Sequence, residues 1–254
     1  MKQIIVYVDQ GVDGVSLKQL VKNLYQEVDL SEYIIRRMDA QMLKTANWEP
    51  ETALLIIPGG RDIYYHTALD GCGTDKIRRF VESGGCYLGL CAGAYFASNE
   101  IEFEKGGRLQ VCAKRSLSFY PGKAIGPAYG PNRYSIESQE GVEAALIAHK
   151  DVSCFVYYNG GCFFDADRSF SHVTSLAIYK QLQDEPPAIL SCQVERGLAI
   201  LSGVHIEFST QFLPSHDQHI ERIYPFLHKD DEKRRQLFRQ ILSQFSISLT
   251  NSKK

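Results

Sequence analysis

The first apolar run in the chain is continuous: Ile4-Ile5-Val6-Tyr7-Val8. A strand covered on both faces carries such a run, as the strands of a parallel sheet do. Residues 10–15 read as a turn, and Ser16 stands where it can cap a helix. Leu17, Leu20, Val21 and Leu24 then recur at helical spacing. Residues 33–38 repeat the strand pattern, and Asp39 caps a short helix through Leu43. Residues 53–57 (Ala-Leu-Leu-Ile-Ile) form a third buried strand that ends in Pro58-Gly59-Gly60-Arg61-Asp62. Thr74 caps a helix through Val81, which Ser83-Gly84-Gly85 stops. Residues 86–90 are a fourth strand, and a helix begins directly after Cys91. Strand and helix alternating in this way predict an α/β fold: a doubly wound, mainly parallel sheet with right-handed crossovers. Ligands of such sheets sit beyond the carboxyl ends of the strands, where both Gly59-Gly60 and Cys91 fall.

After Ser98 the pattern breaks. Gly106-Gly107, Pro121-Gly122, Gly126-Pro127 and Gly130-Pro131-Asn132 punctuate short β-branched or aromatic runs, so β-hairpin insertions are expected over 100–145. Strands resume at 152–158, closed by Asn159-Gly160-Gly161, and at 172–179, 188–194 and 198–202. The last of these ends in Gly203-Val204-His205-Ile206-Glu207. From Asp217 the chain reads as helical, with Ile220, Ile223, Phe226 and Leu227 in one stripe. Leu237, Phe238, Ile241, Leu242 and Phe245 form a second stripe. Lys233-Arg234-Arg235 reads as the solvated face of the last helix. The expected organisation is a single domain over 1–254, with C-terminal helices within 216–246 and no internal repeat.

Composition narrows the class. The chain of 254 residues is 44% hydrophobic and 23% charged, as soluble globular proteins are. A formal net charge of −2 gives no footprint for nucleic acid or an anionic membrane surface. No apolar stretch reaches spanning length, and the N-terminal run is too short for a signal peptide. The seven cysteines are odd in number and lack CxxC pairs, which argues against a disulfide framework or a zinc site. The expectation is a cytoplasmic protein without metal or cofactor, although a chain exported without a cleaved signal would look the same. His216 and His219 flank Asp217, but at a helix start and without a fourth partner they read as solvated. The expected ligand is a small molecule; no protein partner is legible.

Two short stretches carry chemistry. Gly89-Leu90-Cys91-Ala92-Gly93 follows a buried strand and opens a helix, which is the nucleophile elbow with sulfur in place of oxygen. The turning residue sits in a strained conformation, and side chains two before and two after would collide across the turn. The helix start then points N–H groups at the thiol and favours the thiolate. His205 and Glu207 are two apart, so in extended backbone they share a side and the carboxylate can fix the imidazole tautomer. A thiol, a histidine and an orienting carboxylate make an activated nucleophile.

The elbow, the Ile57-Pro58-Gly59-Gly60 loop and Gly203-Val204-His205-Ile206-Glu207 together resemble the class I glutamine amidotransferase-like superfamily. Residues 85–98 and Tyr157-Tyr158-Asn159-Gly160-Gly161 are most similar to the amidotransferase-like domain at the N-terminus of biotin–protein ligases, and to its stand-alone bacterial forms. The resemblance covers roughly residues 2–209 and implies a flavodoxin-like fold. It implies Cys91 as nucleophile, His205 as base and Glu207 as the orienting carboxylate. The backbone N–H groups of Gly60 and Ala92 would form the oxyanion hole. Tyr95, Asn159 and Gly160 are further candidates for substrate binding, and Tyr158 could line the crevice with Tyr95; Asn159-Gly160-Gly161 also reads as a plain hairpin turn, and both tyrosines as half-buried packing. The implied activity is a cysteine-dependent amidohydrolase or acyl transferase, or else a binding and regulatory module linked to biotin metabolism. Glutamine-hydrolysing members usually follow the elbow with Gly-His-Gln, where this chain has Gly93-Ala94-Tyr95. Glutaminase activity is therefore not expected. Nor is biotin ligation by this chain alone, which lacks a Gly-Arg-Gly-rich biotin-binding motif.

Overall fold

Nine strands hydrogen-bond into one sheet, and the site lies on the rim of its parallel half. The structure is a computed structural model that describes residues 1–165, 170–213 and 217–251. In chain order it begins β1 (Lys2–Tyr7), α1 (Gly14–Glu27), β2 (Tyr33–Met38), α2 (Ala40–Thr45), β3 (Thr52–Ile57), α3 (Asp62–Leu69), α4 (Cys72–Glu82), β4 (Cys86–Leu90) and α5 (Ala92–Phe96). An inserted region follows with β5 (Ser98–Phe103), β6 (Val111–Lys114) and β7 (Tyr120–Gly126). The chain then returns through β8 (Val142–His149), β9 (Val152–Asn159), β10 (Phe163–Phe164), β11 (Val173–Tyr179), β12 (Pro187–Val194) and β13 (Gly197–Ser202) to α6 (Gln218–Gln244). The large sheet has the order β2-β1-β3-β4-β13-β12-β11-β8-β9, parallel from β2 to β13 and antiparallel beyond. In the inserted region β5 and β6 form the expected kind of antiparallel pair and belong to a second sheet of four strands, β10-β7-β5-β6, in which β5 and β7 are parallel.

Alternation along the central strands divides the core in two. Ile5, Tyr7, Leu55, Ile57 and Tyr87 face one way and pack with Leu43, Trp48, Ile77 and Phe80. Ile4, Val6, Leu54, Ile56 and Leu88 face the other way, against Leu20 and Leu24 of α1 and Leu237, Phe238 and Ile241 of α6. The other stripe of α6 (Ile220, Ile223, Leu227) packs with Val142, Ala144 and Tyr157 of the antiparallel half, while Phe226 stays exposed. Among the described residues no helix is long and apolar enough to cross a membrane.

Four expectations need correction. Asp13, not Ser16, caps α1: its carboxylate accepts from the Ser16 N–H at 2.7 Å, and Ser16 lies inside the helix. Gly71 caps α4 in place of Thr74, whose hydroxyl donates back to the Gly71 carbonyl. The C-terminal helices are one continuous helix of 27 residues that contains Pro225. Within the basic cluster Arg234 is buried and not solvated, at 3% exposure. His216 lies outside the described residues. A helix that the pattern did not reveal, α3, follows directly on the Gly59-Gly60 loop.

The elbow is a tight junction in the fold. A methyl group on Gly93 would drive into the Ile57 carbonyl of β3, and one on Gly89 would meet the Gly93 carbonyl across the turn. Gly93→Ala is therefore expected to destabilise by on the order of 3 kcal/mol or to prevent folding. Gly14→Ala, at an open position, is expected to be near neutral. Urea unfolding midpoints of the two variants check this.

Candidate active site

Three neighbouring strands each deliver one part of the site at the carboxyl end. β3 ends at Gly59-Gly60, β4 at Cys91, and β13 at the segment that carries His205 and Glu207. Cys91 holds φ 49° and ψ −103°, the strained turn expected of an elbow residue. Its N–H donates to the Ser202 carbonyl at 2.8 Å, which ties the turn to the end of β13. The thiol is 5% exposed and lies 3.7 Å from the Asn159 carbonyl. The helix behind it, α5, spans only five residues, so its dipole is a weaker influence on the sulfur than the sequence suggested.

The imidazole of His205 pairs with the carboxylate and shares a cavity with the sulfur. Nδ1 lies 2.7 Å from Oε1 of Glu207, and the Cys91 side chain is near enough to act on the ring electrostatically. Burial alone would lower the pKa of His205. The Glu207 carboxylate and then the Cys91 sulfur outweigh burial and hold it well above the ordinary histidine value. The ring is also gripped sterically: Phe208 lies 4.6 Å from it between centroids and stacks on Tyr157 at 4.2 Å. A Cβ on Gly59 would come within 2.6 Å of the His205 ring, so glycine is what admits the imidazole.

The supports of this pair come from residues that the sequence reading passed over. Ser16, Gln19, Asn23 and Glu27 form a second, polar stripe on α1, and all four are buried. The Ser16 hydroxyl makes a long 3.5 Å contact with Glu207 Oε1 and accepts from the Gly59 N–H. Asn23 donates to the Glu207 carbonyl at 2.8 Å, while Gln19 pairs twice with the Ser209 backbone. From the other side Arg234 donates to the Ile206 carbonyl at 2.8 Å and pairs with Asp231. Glu27 in turn anchors Arg235 and Arg239, which locks α6 against α1. The spacing of 16, 19, 23 and 27 was the available signal for this stripe.

Gly60 has φ +148°, and any side chain there would strike the Gly11 carbonyl, the Tyr65 hydroxyl and the Asp13 backbone. The bridge between Val12 and Gly60 is made by the Arg61 and Asp13 N–H groups, which leaves the Gly60 N–H outside the pair. Just beyond, Asp62 forms a 2.7 Å ion pair with Arg115, which is 2% exposed. This pair fastens the inserted sheet to the Gly60 loop, and burial, despite the guanidinium, pushes the Asp62 carboxyl upward.

The insertion roofs the crevice. Tyr134 lies over Gly160 and packs edge-on against Phe103, which in turn meets Tyr95. Beneath it two cavities open onto Cys91, of about 290 Å³ and about 380 Å³. Gly60, Ala92, Tyr95, Asn159 and Gly160 all line the first, so the candidates surround one space with the thiol. The Tyr95 hydroxyl donates to the Gly160 carbonyl at 3.1 Å. Tyr158 is core, 1% exposed, with its hydroxyl on the Gly161 carbonyl. Among the described residues no three His, Cys, Asp or Glu side chains are grouped to hold a metal.

The sequence profile of the family described as "Biotin-protein ligase, N terminal" matches residues 2–254. The chain belongs to this family. Its relatives include an uncharacterized protein of Chlamydia muridarum, 39% identical over 251 residues, a match that covers 96% of both chains. The biotin–protein ligase of Schizosaccharomyces pombe is 34% identical over 226 residues, covering 86% of this chain but 35% of the ligase. The family domain thus spans about a third of that longer protein. In fold the chain is similar to solved glutamine amidotransferases. One has a TM-score of 0.54 at 17% identity, covering 88% of this chain and 97% of the other. Another, from Thermotoga maritima, has a TM-score of 0.55 at 11% identity, covering 96% and 97%.

The raised pKa of His205 has a measurable consequence. The imidazole is expected to stay protonated through pH 6–8, where a free histidine loses its proton. Glu207→Gln removes the largest influence that raises it and leaves burial opposed only by the Cys91 sulfur, so titration is expected to move down, towards the ordinary value. Ring ¹⁵N shifts of His205 across this range check both statements.

Proposed function

We propose that this family domain is a cysteine-dependent amidohydrolase or acyl transferase acting on a small molecule, with Cys91 as nucleophile, His205 as proton carrier and Glu207 as its orienting carboxylate. The observation that carries the reading is the 2.7 Å pair of Glu207 with His205 and the sharing of one cavity by His205 and Cys91, at the ends of adjacent strands. In the first step the thiolate adds to an amide or thioester carbonyl, and the C=O pair moves onto oxygen. The N–H groups of Gly60 and Ala92 would receive that charge. Collapse breaks the bond to the leaving group, which takes the proton from the His205 imidazolium. Water or an acceptor amine then gives a proton back to His205 and attacks the thioester, freeing the Cys91 thiolate.

Four of the other cysteines are unsuited to the role. Burial raises the thiols of Cys86, Cys162 and Cys154, the last to about 11, and that of Cys192 to about 12, so these are poor nucleophiles at neutral pH. Cys72 and Cys112 are exposed and serve as internal references. With iodoacetamide at pH 6.5, Cys91 is expected to alkylate at least about tenfold faster than either, and His205→Ala to abolish the advantage. Peptide mass mapping over time reads both. A Cys91 no faster than Cys72 would leave the cleft as a binding and regulatory module, its link to biotin attachment resting on the ligase relative.

Glutamine is expected to release no ammonia at enzymatic rates, since Ala94-Tyr95 replaces the usual His-Gln. Ammonia release that Cys91→Ser abolishes would overturn this expectation.

A further inference from the structure

The two cavities that meet at Cys91 differ in chemistry. The first is mainly apolar, with Tyr95, Phe103 and Leu109 on its wall, although Arg61, Arg108 and Gln110 also line it. The second is the more polar, with Gln10, Asp13 and Gln139 beside Val12 and Phe208, and of the two it alone contains His205. Gly60 lines both, as do Cys91, Tyr134 and Asn159. An acyl carbon attacked by the sulfur carries three other groups: the oxyanion, the leaving group and the acyl chain. If the oxyanion points to the Gly60 and Ala92 N–H groups, the leaving group must lie within reach of the imidazole that protonates it. Only the second cavity offers that reach. The acyl chain is then left with the first.

From this, and resting on the reading of Cys91 as nucleophile, we propose that the substrate is an amide or thioester with an apolar acyl group, held among Tyr95, Phe103 and Leu109. Its leaving group is polar and lies against Asp13 and Gln139. The partition also brings water for deacylation through the polar chamber, where His205 can take its proton, while the apolar chamber shields the acyl chain.

N-acetylcysteamine thioesters of acetate, phenylacetate and succinate test the acyl side, because they share one small polar leaving group. In each reaction the C–S bond to Cys91 forms, the bond to cysteamine breaks, and the departing thiolate takes the His205 proton. Intact-protein mass reads the acyl adduct, Cys91→Ala is the control, and each rate is divided by the rate of the same thioester with glutathione. Phenylacetyl is expected to load at least about tenfold faster than acetyl or succinyl. Phe103→Ala is expected to bring the phenylacetyl-to-acetyl ratio towards one. Leu109→Asp, on the partly exposed wall, serves the same purpose should Phe103→Ala fail to fold. With phenylacetyl held constant, replacing N-acetylcysteamine by butanethiol is expected to slow loading. A ratio near one, or a preference for succinyl, with Cys91 still loaded would overturn the partition and leave the nucleophile standing. No adduct from any thioester, together with no alkylation advantage, would remove both.

Discussion

Glu207 is a carboxylate with no exposure to solvent, and the site is arranged to satisfy it. A buried ion left without a partner costs several kcal/mol, so its counter-charge must be held in place. His205 stands opposite it at 2.7 Å, and the carboxylate raises the affinity of the imidazole for a proton. One Glu207 oxygen, Oε2, meets no donor among the described residues, so the carboxylate depends heavily on the histidine and the long Ser16 contact. The backbone around it is fixed from two sides. Asn23 of α1 binds the Glu207 carbonyl and Arg234 of α6 binds that of Ile206. The two helices are joined by Glu27 and its two arginines, so the geometry at the rim is inherited from the packing of α1 and α6.

The same economy of backbone appears at the elbow. Strands β3, β4 and β13 lie side by side, and their ends can converge on one sulfur only if the intervening backbones nearly touch. Gly93 against the Ile57 carbonyl is a point where two of them do, and Gly59 leaves room for the His205 ring. Cys91 itself bears the strained torsions, held by its N–H bond to Ser202 and by the helix that starts at once. Strain of this kind persists where the surroundings over-determine it, and here the buried apolar layers on both faces of the sheet supply that constraint.

Much of this was legible in the residues. The runs at 4–8, 53–57 and 86–90 marked the central strands because a strand buried on both faces needs no polar alternation. The elbow and the HxE segment were legible because steric and tautomeric demands restrict which residues suit those positions. What the pattern missed shares one physical cause. Ser16, Gln19, Asn23, Glu27, Arg115 and Arg234 are polar residues buried by specific partners distant in sequence, whereas periodicity assigns polar residues to solvent. Lys233-Arg234-Arg235 illustrates the point: one of three adjacent cations turns inward because a carbonyl and Asp231 await it there. The inserted region was recognisable as β-rich from its turns, but its pairing into a separate four-stranded sheet depends on contacts no local signal encodes.

Those misses fall where local rules and the site conflict. A helix that buries apolar residues on one face and four polar ones on another would be unstable alone, since each buried polar group needs a partner. The 205–209 segment provides three of those partners, and α6 provides the fourth. The dependence runs both ways, because among the described residues that segment has no strand neighbour apart from the bridge between Tyr157 and His205. Helix α1 and the His-Glu segment therefore stabilise one another. The orientation of the imidazole is set by the same interactions that hold the helix to the sheet.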